Sequence, residues 1–219
     1  EWVSSMTYQA ASGAGAKNMK ELLVQMGELH SSTESELKKT DFNILNVDKL
    51  VLEKMHSSEF SIENFQVPLA GNLIPWIDQD LGGGLSKEEW KGQFETNKIL
   101  MNDYEKINVD GLCTRIGSMR SHSQALTIKL KKHYELTEIN DLIKSANDWI
   151  KLIPNEKEAS IHSLTPAAIS GSLEIAIGRV RRLALGDNLI SAFTVGDQLL
   201  WGAAEPLRRM LQILINKDK

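Results

Sequence analysis

Val109-Asp-Gly-Leu-Cys-Thr-Arg-Ile-Gly-Ser-Met-Arg-Ser-His-Ser-Gln-Ala-Leu-Thr-Ile-Lys-Leu-Lys-Lys132 is a stretch with the residue pattern of extended chain. Its second half alternates between apolar and polar side chains, with Leu126, Ile128 and Leu130 set against Thr127, Lys129 and Lys131. A repeat of two residues is typical of a strand that buries one face. The middle of the chain is therefore predicted to be strand, half-buried against the rest of the domain.

Helices and further strands are predicted on both sides of this stretch. Before it, residues 3–9 have the pattern of a strand, residues 17–37 that of a helix, and Ser86-Lys-Glu-Glu89 is a capping box that begins a helix to about residue 102. Residues 40–65 have mixed signals and are predicted to be loop with short elements. After the stretch, Thr137 is predicted to cap a short helix through residue 146, and the last helix begins at Asp197 with an interruption near Pro206.

Three more strands are predicted in the second half, at residues 149–153, 174–185 and 191–195. In the second of them the candidates for inward-facing side chains are Ile175, Ile177 and Val180. Long strands are separated by single helices, without strict alternation of strand and helix. This order predicts an α+β domain built on a mixed β-sheet that is flanked by helices.

The composition is that of an ordinary globular protein. Of the 219 residues, 42% are hydrophobic and 25% are charged, and the formal net charge is −4. We expect neither nucleic acid nor a membrane as a partner, because the chain lacks a basic surface and a run of ~20 apolar residues. A single cysteine excludes an intrachain disulfide, so we expect a cytoplasmic protein. The chain begins in strand-like sequence at Glu1 without a methionine, which suggests a piece of a longer protein.

A thiol, a cation and an imidazole lie within ten residues of the central stretch, as Cys113, Arg115 and His122. A guanidinium can bind a carboxylate through paired hydrogen bonds, and an imidazole can serve as the base for a thiol. Two interpretations stay open: a nucleophile with its base and substrate anchor, or a lone cysteine that only fills the core. No two histidines have the spacing of metal ligands, and no metal site is predicted.

Two other motifs also have a functional and a structural interpretation. Ser12-Gly-Ala-Gly-Ala16 lies between a strand and a helix, where free backbone N–H groups can bind an anion, or where it simply forms a tight turn. Glu95 and Lys98 lie three residues apart on one helix face. They would suit a zwitterionic substrate or form a surface ion pair. The last helix carries more apolar residues than a terminal helix normally exposes, and it needs a partner.

The sequence resembles aspartate-semialdehyde dehydrogenases of the Gram-negative bacterial type over nearly its whole length. The similarity is densest in seven blocks: Thr7-Tyr-Gln-Ala-Ala-Ser-Gly13, Val67-Pro-Leu-Ala-Gly71, Gly92-Gln-Phe-Glu-Thr-Asn-Lys-Ile-Leu100, Asp110-Gly-Leu-Cys-Thr-Arg115, Ser121-His-Ser-Gln124, Leu164-Thr-Pro-Ala-Ala168 and Ser191-Ala-Phe-Thr-Val-Gly-Asp-Gln-Leu-Leu-Trp-Gly-Ala-Ala-Glu-Pro-Leu-Arg-Arg209. It covers only the later part of such an enzyme. The glycine-rich loop of the family's nucleotide-binding domain and its Asn-Cys-Thr segment, which carries the nucleophile, are not in the sequence.

The resemblance implies a reaction and a role for individual residues. The family makes L-aspartate 4-semialdehyde from L-4-aspartyl phosphate with NADPH, through a cysteine thioester, for lysine, methionine, threonine and diaminopimelate synthesis. By position, Gln9 would orient the acyl group, His122 would be the acid/base, and Arg115 would bind the α-carboxylate. Glu95 would hold the amino group and Lys98 the phosphate. Contacts to the cofactor would come from Ser12, Gly13, Ala14, Gly15, Ala16 and Gln198.

The resemblance also implies the fold and partners. The fold would be the catalytic domain of glyceraldehyde-3-phosphate-dehydrogenase-like enzymes, with residues 1–196 for substrate binding and dimerisation. Residues 197–219 would form a helix that packs on the nucleotide-binding domain and, without that domain, rearranges or packs on another copy. We expect a homodimer, a small-molecule substrate, and NADP(H) bound only by the full enzyme. The chain alone would be inactive, with Cys113 as a packing residue; the alternative is a non-catalytic dimerisation module that keeps vestigial substrate anchors.

Overall fold

The computed structural model describes residues 1–101 and 106–217. The seven strands in this part of the chain are β1 (Trp2–Gln9), β2 (Leu73–Ile74), β3 (Asn108–Ile116), β4 (Ser121–Lys129), β5 (Ile150–Leu152), β6 (Ile175–Arg182) and β7 (Leu189–Asp197). The helices are α1 (Ala16–Leu37), α2 (Ile44–Met55), α3 (Lys87–Ile99), α4 (Leu136–Ser145), α5 (Lys157–Ser163), α6 (Pro166–Ile169) and α7 (Glu205–Lys217). A 3₁₀ turn, Ala11–Ala14, joins β1 to α1, and a π-helical segment, Leu200–Ala204, precedes α7.

All seven strands form one mixed sheet in the order β2-β3-β1-β4-β7-β6-β5. The interior strand β1 runs parallel to β3 and antiparallel to β4, and β5 runs parallel to β6. The central stretch of sequence supplies β3 and β4, which lie on either side of β1. The α+β fold with a mixed sheet is thus confirmed.

Helices cover both faces of the sheet. Ile139 of α4 packs on one face against Val180, Ile190 and Ala192 of β6 and β7. On the other face, Ala176 and Val195 pack against residues of α5, α6 and their neighbouring loops. Because alternate strand residues point to opposite faces, β6 and β7 bury side chains on both sides. A third cluster, built on Leu22 of α1 and Leu69, attaches α1 to the loop before β2.

The strand β6 only partly follows the predicted inward pattern. Val180 is buried, but Ile175 and Ile177 are half-buried, and Ala176 is fully buried on the opposite face. The pairing register of β6 with β7 shifts between Gly178 and Arg181, and Arg179 has a left-handed backbone conformation (φ 55°). This β-bulge brings Ile177 and Val180 into one cluster although they are an odd number of residues apart.

Four helices differ from the prediction, and two of them, α5 and α6, lie where no element was predicted. Residues 44–55 form a 12-residue helix, α2, whose first turn is capped by the Asn43 side chain, where loop with short elements was predicted. No residue of α2 is buried, but Val47, Leu50, Val51 and Met55 are half-buried at helical spacing and form its apolar face. The helix α4 begins before Thr137, because Glu135 is its N-cap and forms a capping box with Glu138.

The predicted interruption of the last helix is confirmed by the π-helical segment just ahead of Pro206. Glu205 accepts hydrogen bonds from Arg208 and Arg209, and Arg209 stacks on the rings of Trp149 (3.8 Å) and Trp201 (4.8 Å). These contacts attach the beginning of α7 to the segment before β5. Further along α7 a set of apolar side chains is more than half exposed: Leu207, Met210, Leu211, Ile213, Leu214 and Ile215.

Candidate functional site

The pairing of β1 with β3 and β4 brings three of the predicted site residues together. Gln9 and Arg115 are direct partners at the ends of the parallel strands β1 and β3. Arg115 Nη1 donates to Gln9 Oε1 and to the carbonyl oxygen of Ala10, both at 2.8 Å. His122 lies at the start of the antiparallel neighbour β4, and its Nδ1 accepts the Ala10 N–H at 3.1 Å. Residues that are more than one hundred positions apart thus form one cluster.

Arg115 is buried yet keeps donors for a ligand. Its side chain is 7% exposed, and burial lowers its pKa while the Glu88 carboxylate acts in the opposite sense. Of its nitrogen atoms only Nη1 is bonded to other residues in the described part of the chain. The other donors of the guanidinium are suited to a carboxylate, which accepts two parallel N–H groups.

His122 is held in its neutral form. Burial, and then the positive charge of Arg115, lower its pKa to about 4. Because Nδ1 accepts a backbone N–H, the proton of the neutral ring is assigned to Nε2. The ring therefore presents an N–H at pH 7 where a reacting group could receive or share a proton.

Gly13 packs closely beside the side chains of Gln9, Arg115 and His122. A Cβ atom at this position would lie 2.8 Å from Arg115 Nη1, 2.9 Å from Gln9 Oε1 and 3.1 Å from His122 Nε2. Distances this short require the neighbouring side chains to shift. The second residue of the predicted cofactor turn therefore has no room for a side chain beside the three predicted substrate and acid/base groups.

The first turns of α3 add a carboxylate and an ammonium that the sequence analysis missed. Glu88 Oε1 accepts the Gln9 amide N–H at 2.5 Å, and Glu88 Oε2 pairs with Lys91 at 3.0 Å. Lys91 also contacts Asp78 Oδ2 at 3.4 Å. Ser86 and Glu89 complete the predicted capping box, which fixes the start of α3 and hence the place of Glu88.

Glu95 and Lys98 lie further along the same helix. Both are exposed, and within the described residues neither contacts the other or any member of the Gln9–Arg115–His122 cluster. Glu88 and Lys91 have the same three-residue spacing as Glu95 and Lys98 but lie one heptad earlier, about 10 Å along the helix axis. That repeated spacing is the signal by which the sequence could have identified Glu88 and Lys91.

Cys113 lies two residues before Arg115 on β3, so the two side chains are on the same face of the sheet. Its backbone N–H donates to Glu89 Oε1 at 3.2 Å, and burial raises the pKa of its thiol. It lines a cavity of about 250 Å³ between α3 and the sheet, together with Thr7, Glu88 and Gly92. A thiol with a raised pKa is a poor nucleophile, which favours the interpretation of Cys113 as a packing residue.

Two of the six predicted cofactor residues, Ser12 and Gln198, meet at the carbonyl oxygen of Arg120. It accepts the Ser12 hydroxyl and the Gln198 backbone N–H, both at 3.2 Å. Arg120 itself pairs at 2.6 Å with Asp197, which is fully buried. Gln198 Oε1 is buried, and no hydrogen-bond partner for it lies among the described residues. Residues 13–16 are exposed, and Gly15 (φ 99°) begins α1 without a side-chain cap.

Residues 1–101 and 106–217 contain neither a candidate metal site nor a helix that could span a membrane. No three histidine, cysteine, aspartate or glutamate side chains in these ranges are grouped so that they could hold a metal ion. None of the helices described there has the length and apolarity needed to cross a bilayer.

The fold and the site together define an α+β domain with a polar cluster at the ends of the neighbouring strands β1, β3 and β4. The family model of the semialdehyde dehydrogenase dimerisation domain matches residues 1–201. The chain therefore belongs to the family of semialdehyde dehydrogenase dimerisation domains.

Solved structures agree with this family. Aspartate semialdehyde dehydrogenase from Francisella tularensis matches 98% of the chain with 48% identity and a TM-score of 0.90. Aspartate semialdehyde dehydrogenase II from Vibrio cholerae, in complex with ASA, matches 99% of the chain with 24% identity and a TM-score of 0.74. The Candida albicans enzyme with NADP matches 93% with 13% identity and a TM-score of 0.52; the last two show the fold alone.

The chain spans about half the length of these relatives. It covers 57% of the Francisella protein, 55% of the Vibrio protein and 47% of the Candida protein. What the matched part shares with them is the dimerisation domain and its sheet.

Proposed function

We propose that this chain is the substrate-binding and dimerisation part of an aspartate-semialdehyde dehydrogenase. The reaction converts L-4-aspartyl phosphate, NADPH and a proton into L-aspartate 4-semialdehyde, NADP⁺ and phosphate. The observation that carries the proposal is the cluster of Gln9, Arg115 and His122 under Gly13, with Glu88 beside it. A buried cation, a neutral imidazole and an amide side by side are the groups that this substrate requires.

The substrate anchors follow from charge and position. Arg115 binds the α-carboxylate through the donors that face away from Gln9. A carboxylate of α3 binds the amino group, and an ammonium of α3 binds the phosphate. The geometry favours Glu88 and Lys91 over Glu95 and Lys98, which the family resemblance suggested, because Glu88 binds Gln9 of the cluster and Lys91 binds Glu88. Both pairs remain candidates, and single variants at these positions distinguish them.

His122 and Gln9 act on the reacting carbonyl group. Gln9 lies between Arg115 and Glu88, so its amide is oriented at both ends and can position the acyl group. Neutral His122 offers its Nε2–H as a hydrogen-bond donor to the carbonyl oxygen that gains negative charge during attack. The low pKa of His122 supports this role because the ring stays neutral at pH 7.

The residues of the chain fit one end of a nicotinamide cofactor. Gln198 Oε1 is a buried acceptor in need of an N–H donor, and the uncapped start of α1 offers free N–H groups next to Gly13. When bound, NADPH would supply the hydride that reduces the thioester. Gln198 and residues 12–16 would hold and orient the reacting end of the cofactor beside the cluster.

The nucleophilic cysteine would come from a nucleotide-binding domain outside this sequence. The thiolate of that cysteine would attack the acyl phosphate, the carbon–oxygen bond to phosphate would break, and a thioester would form. Cys113 is not suited to this task because burial raises the pKa of its thiol. We therefore propose that the 219-residue chain alone does not turn over, and that the full enzyme works in the cytoplasm in lysine, methionine, threonine and diaminopimelate synthesis.

A homodimer is part of the proposal. The sheet face opposite α3 has a shallow groove lined by strand residues alone, including Met6, Ala125 and Phe193 at matching positions of β1, β4 and β7. Two such faces can pack on each other around a two-fold axis. The exposed apolar residues of α7 would instead pack on the nucleotide-binding domain.

The experiment is calorimetry of the purified chain with L-aspartate 4-semialdehyde and inorganic phosphate. Specific binding that Arg115→Ala abolishes supports a retained half-site. Absence of binding by a folded chain would favour the alternative, a dimerisation module with vestigial anchors. Phosphate-dependent reduction of NADP⁺ by the chain alone would contradict the proposed absence of activity.

A further inference from the structure

Lys91 has two carboxylate neighbours, and they come from different parts of the chain. Glu88 belongs to the same helix and lies at 3.0 Å, whereas Asp78 lies in the loop before α3, at 3.4 Å from Lys91 Nζ. All three side chains are roughly one quarter to one third exposed. One ammonium is thus shared between a carboxylate that also touches Gln9 and one that does not.

The loop fixes the carboxylate of Asp78 with respect to α3. Asp78 Oδ1 accepts the N–H of Gln79 at 2.8 Å, and the carbonyl oxygen of Asp78 accepts the indole N–H of Trp76 at 3.0 Å. Gln79 in turn accepts the N–H of Lys87, the first residue of α3, at 2.8 Å. Because Oδ1 is bound to the backbone, Oδ2 is left to face Lys91.

The backbone of Asp78 has a left-handed conformation (φ 69°), which also fixes the direction of its carboxylate. A residue other than glycine adopts this conformation at an energetic cost, and aspartate tolerates it better than most. The backbone at Asp78 is therefore strained in the conformation that directs its carboxylate toward Lys91. Asp78 also has a lowered pKa, so it carries its charge at neutral pH.

We propose that Asp78 is a positioning residue for the phosphate-binding ammonium of Lys91. The inference rests on the proposed function, in which a substrate ammonium takes up the carboxylate of Glu88. Lys91 then loses the attraction of Glu88 and needs a second anchor to stay at the phosphate. Asp78 supplies that anchor from the loop and holds the ammonium at the mouth of the site.

The test is a calorimetric titration of the chain with inorganic phosphate in the presence of saturating L-aspartate 4-semialdehyde, whose ammonium group then occupies the Glu88 carboxylate. Asp78→Asn should weaken phosphate binding about two- to fivefold, the range of a partly exposed ion pair. Asp78→Glu should restore part of the affinity because it keeps the charge. Asp80→Asn is the matched control: Asp80 lies two residues along the same loop and binds the N–H of Gly82 at 2.8 Å, but it forms no ion pair with Lys91.

A second readout separates positioning from general damage to the loop. In the Lys91→Met background, Asp78→Asn should cause no further loss of phosphate affinity, because the ammonium through which it acts is gone. Unchanged or tighter phosphate binding by Asp78→Asn would overturn the inference, since Asp78 would then be inert or a competitor of phosphate. If wild-type chain binds no phosphate, the proposed phosphate role of Lys91 fails, and this inference fails with it.

Discussion

Gln9 and Arg115 face each other at the ends of two parallel strands, and the amide oxygen of Gln9 accepts Arg115 Nη1 at 2.8 Å. The other end of the same amide donates to Glu88. A cation and a carboxylate are thus held apart by one neutral side chain. This spacing leaves room for a zwitterionic ligand that brings its own carboxylate and ammonium.

Replacing Arg115 by lysine should weaken binding of L-aspartate 4-semialdehyde by about 10- to 100-fold, because paired hydrogen bonds to a carboxylate are lost. Calorimetry of the purified chain measures the change. Arg179→Lys is the control, since Arg179 lies exposed on the bulge of β6, and it should bind as the wild type does. Equal affinities of the Arg115→Lys chain and wild type would exclude Arg115 as the carboxylate anchor.

The two candidates on α3 for binding the substrate amino group, Glu88 and Glu95, can be distinguished with one pair of variants. Glu88→Gln should reduce binding of the semialdehyde by about tenfold or more, because a charged hydrogen bond to the ammonium is lost, while Glu95→Gln should leave it unchanged. Both changes remove one negative charge from the same helix, so each is a control for the other. The opposite ranking would assign the amino-group site to Glu95, as the family resemblance suggested.

Adding a methyl group at Gly13 should disturb the cluster. Gly13→Ala places a Cβ within 3.1 Å of three side chains and should lower the free energy of unfolding by about 1–3 kcal/mol, as overpacking does. Gly27→Ala, in the middle of α1 with no atom within 4 Å of the added Cβ, should instead raise it by about 0.5–1 kcal/mol. Urea unfolding of both variants measures the difference. A Gly13→Ala chain as stable as wild type would mean that the three side chains move aside freely.

The pKa of His122 predicts how stability depends on pH. Its folded-state pKa is about 4 and its ordinary value is 6.5, so the unfolded chain takes up a proton first as the pH falls. The stability contributed by neutral His122 is complete above pH 6.5 and is lost progressively as the pH falls toward 4. Asp78 and Glu205 also have lowered pKa values, but their contributions are lost at lower pH, below about 4.5.

Urea unfolding between pH 7 and pH 5 therefore isolates His122. The His122→Gln chain should lose less free energy of unfolding over this interval than the wild type, because glutamine does not titrate. His162→Gln is the control, since His162 is exposed on α5. Parallel pH profiles of wild type and His122→Gln would show that the imidazole is not buried next to a cation.

Local sequence patterns predicted the strands other than β2, and the capping box at Ser86, because those features depend on neighbouring residues. The patterns failed for α2, in which Val47, Leu50, Val51 and Met55 have helical spacing but no residue is buried. Further apolar residues at exposed positions, Ile44, Leu45 and Leu52, obscured that periodicity. The Glu95–Lys98 motif and the family resemblance pointed to Glu95, whereas the α3 carboxylate that contacts Gln9 is Glu88, seven residues earlier. Which turn of a helix reaches a site depends on how the helix docks on the sheet, and the periodicity of the sequence contains no such information.

The cation–π contacts of Arg209 predict how α7 is attached. Its guanidinium lies 3.8 Å from the ring centre of Trp149 and 4.8 Å from that of Trp201, and it also binds Glu205. Arg209→Met keeps much of the apolar stem but removes the charge, and it should cost about 1–2 kcal/mol of unfolding free energy. It should also change the tryptophan fluorescence, because the two rings lie at 5.5 Å in an edge-to-face pair next to the lost cation.

Arg208→Met is the matched control for this attachment. Arg208 binds the same Glu205 carboxylate, but it does not stack on either tryptophan. Its replacement should leave the fluorescence of the folded chain close to that of the wild type. Because both arginines share one carboxylate, a fluorescence change in both variants would mean that Glu205, rather than the stacking of Arg209, holds the start of α7 against the segment before β5.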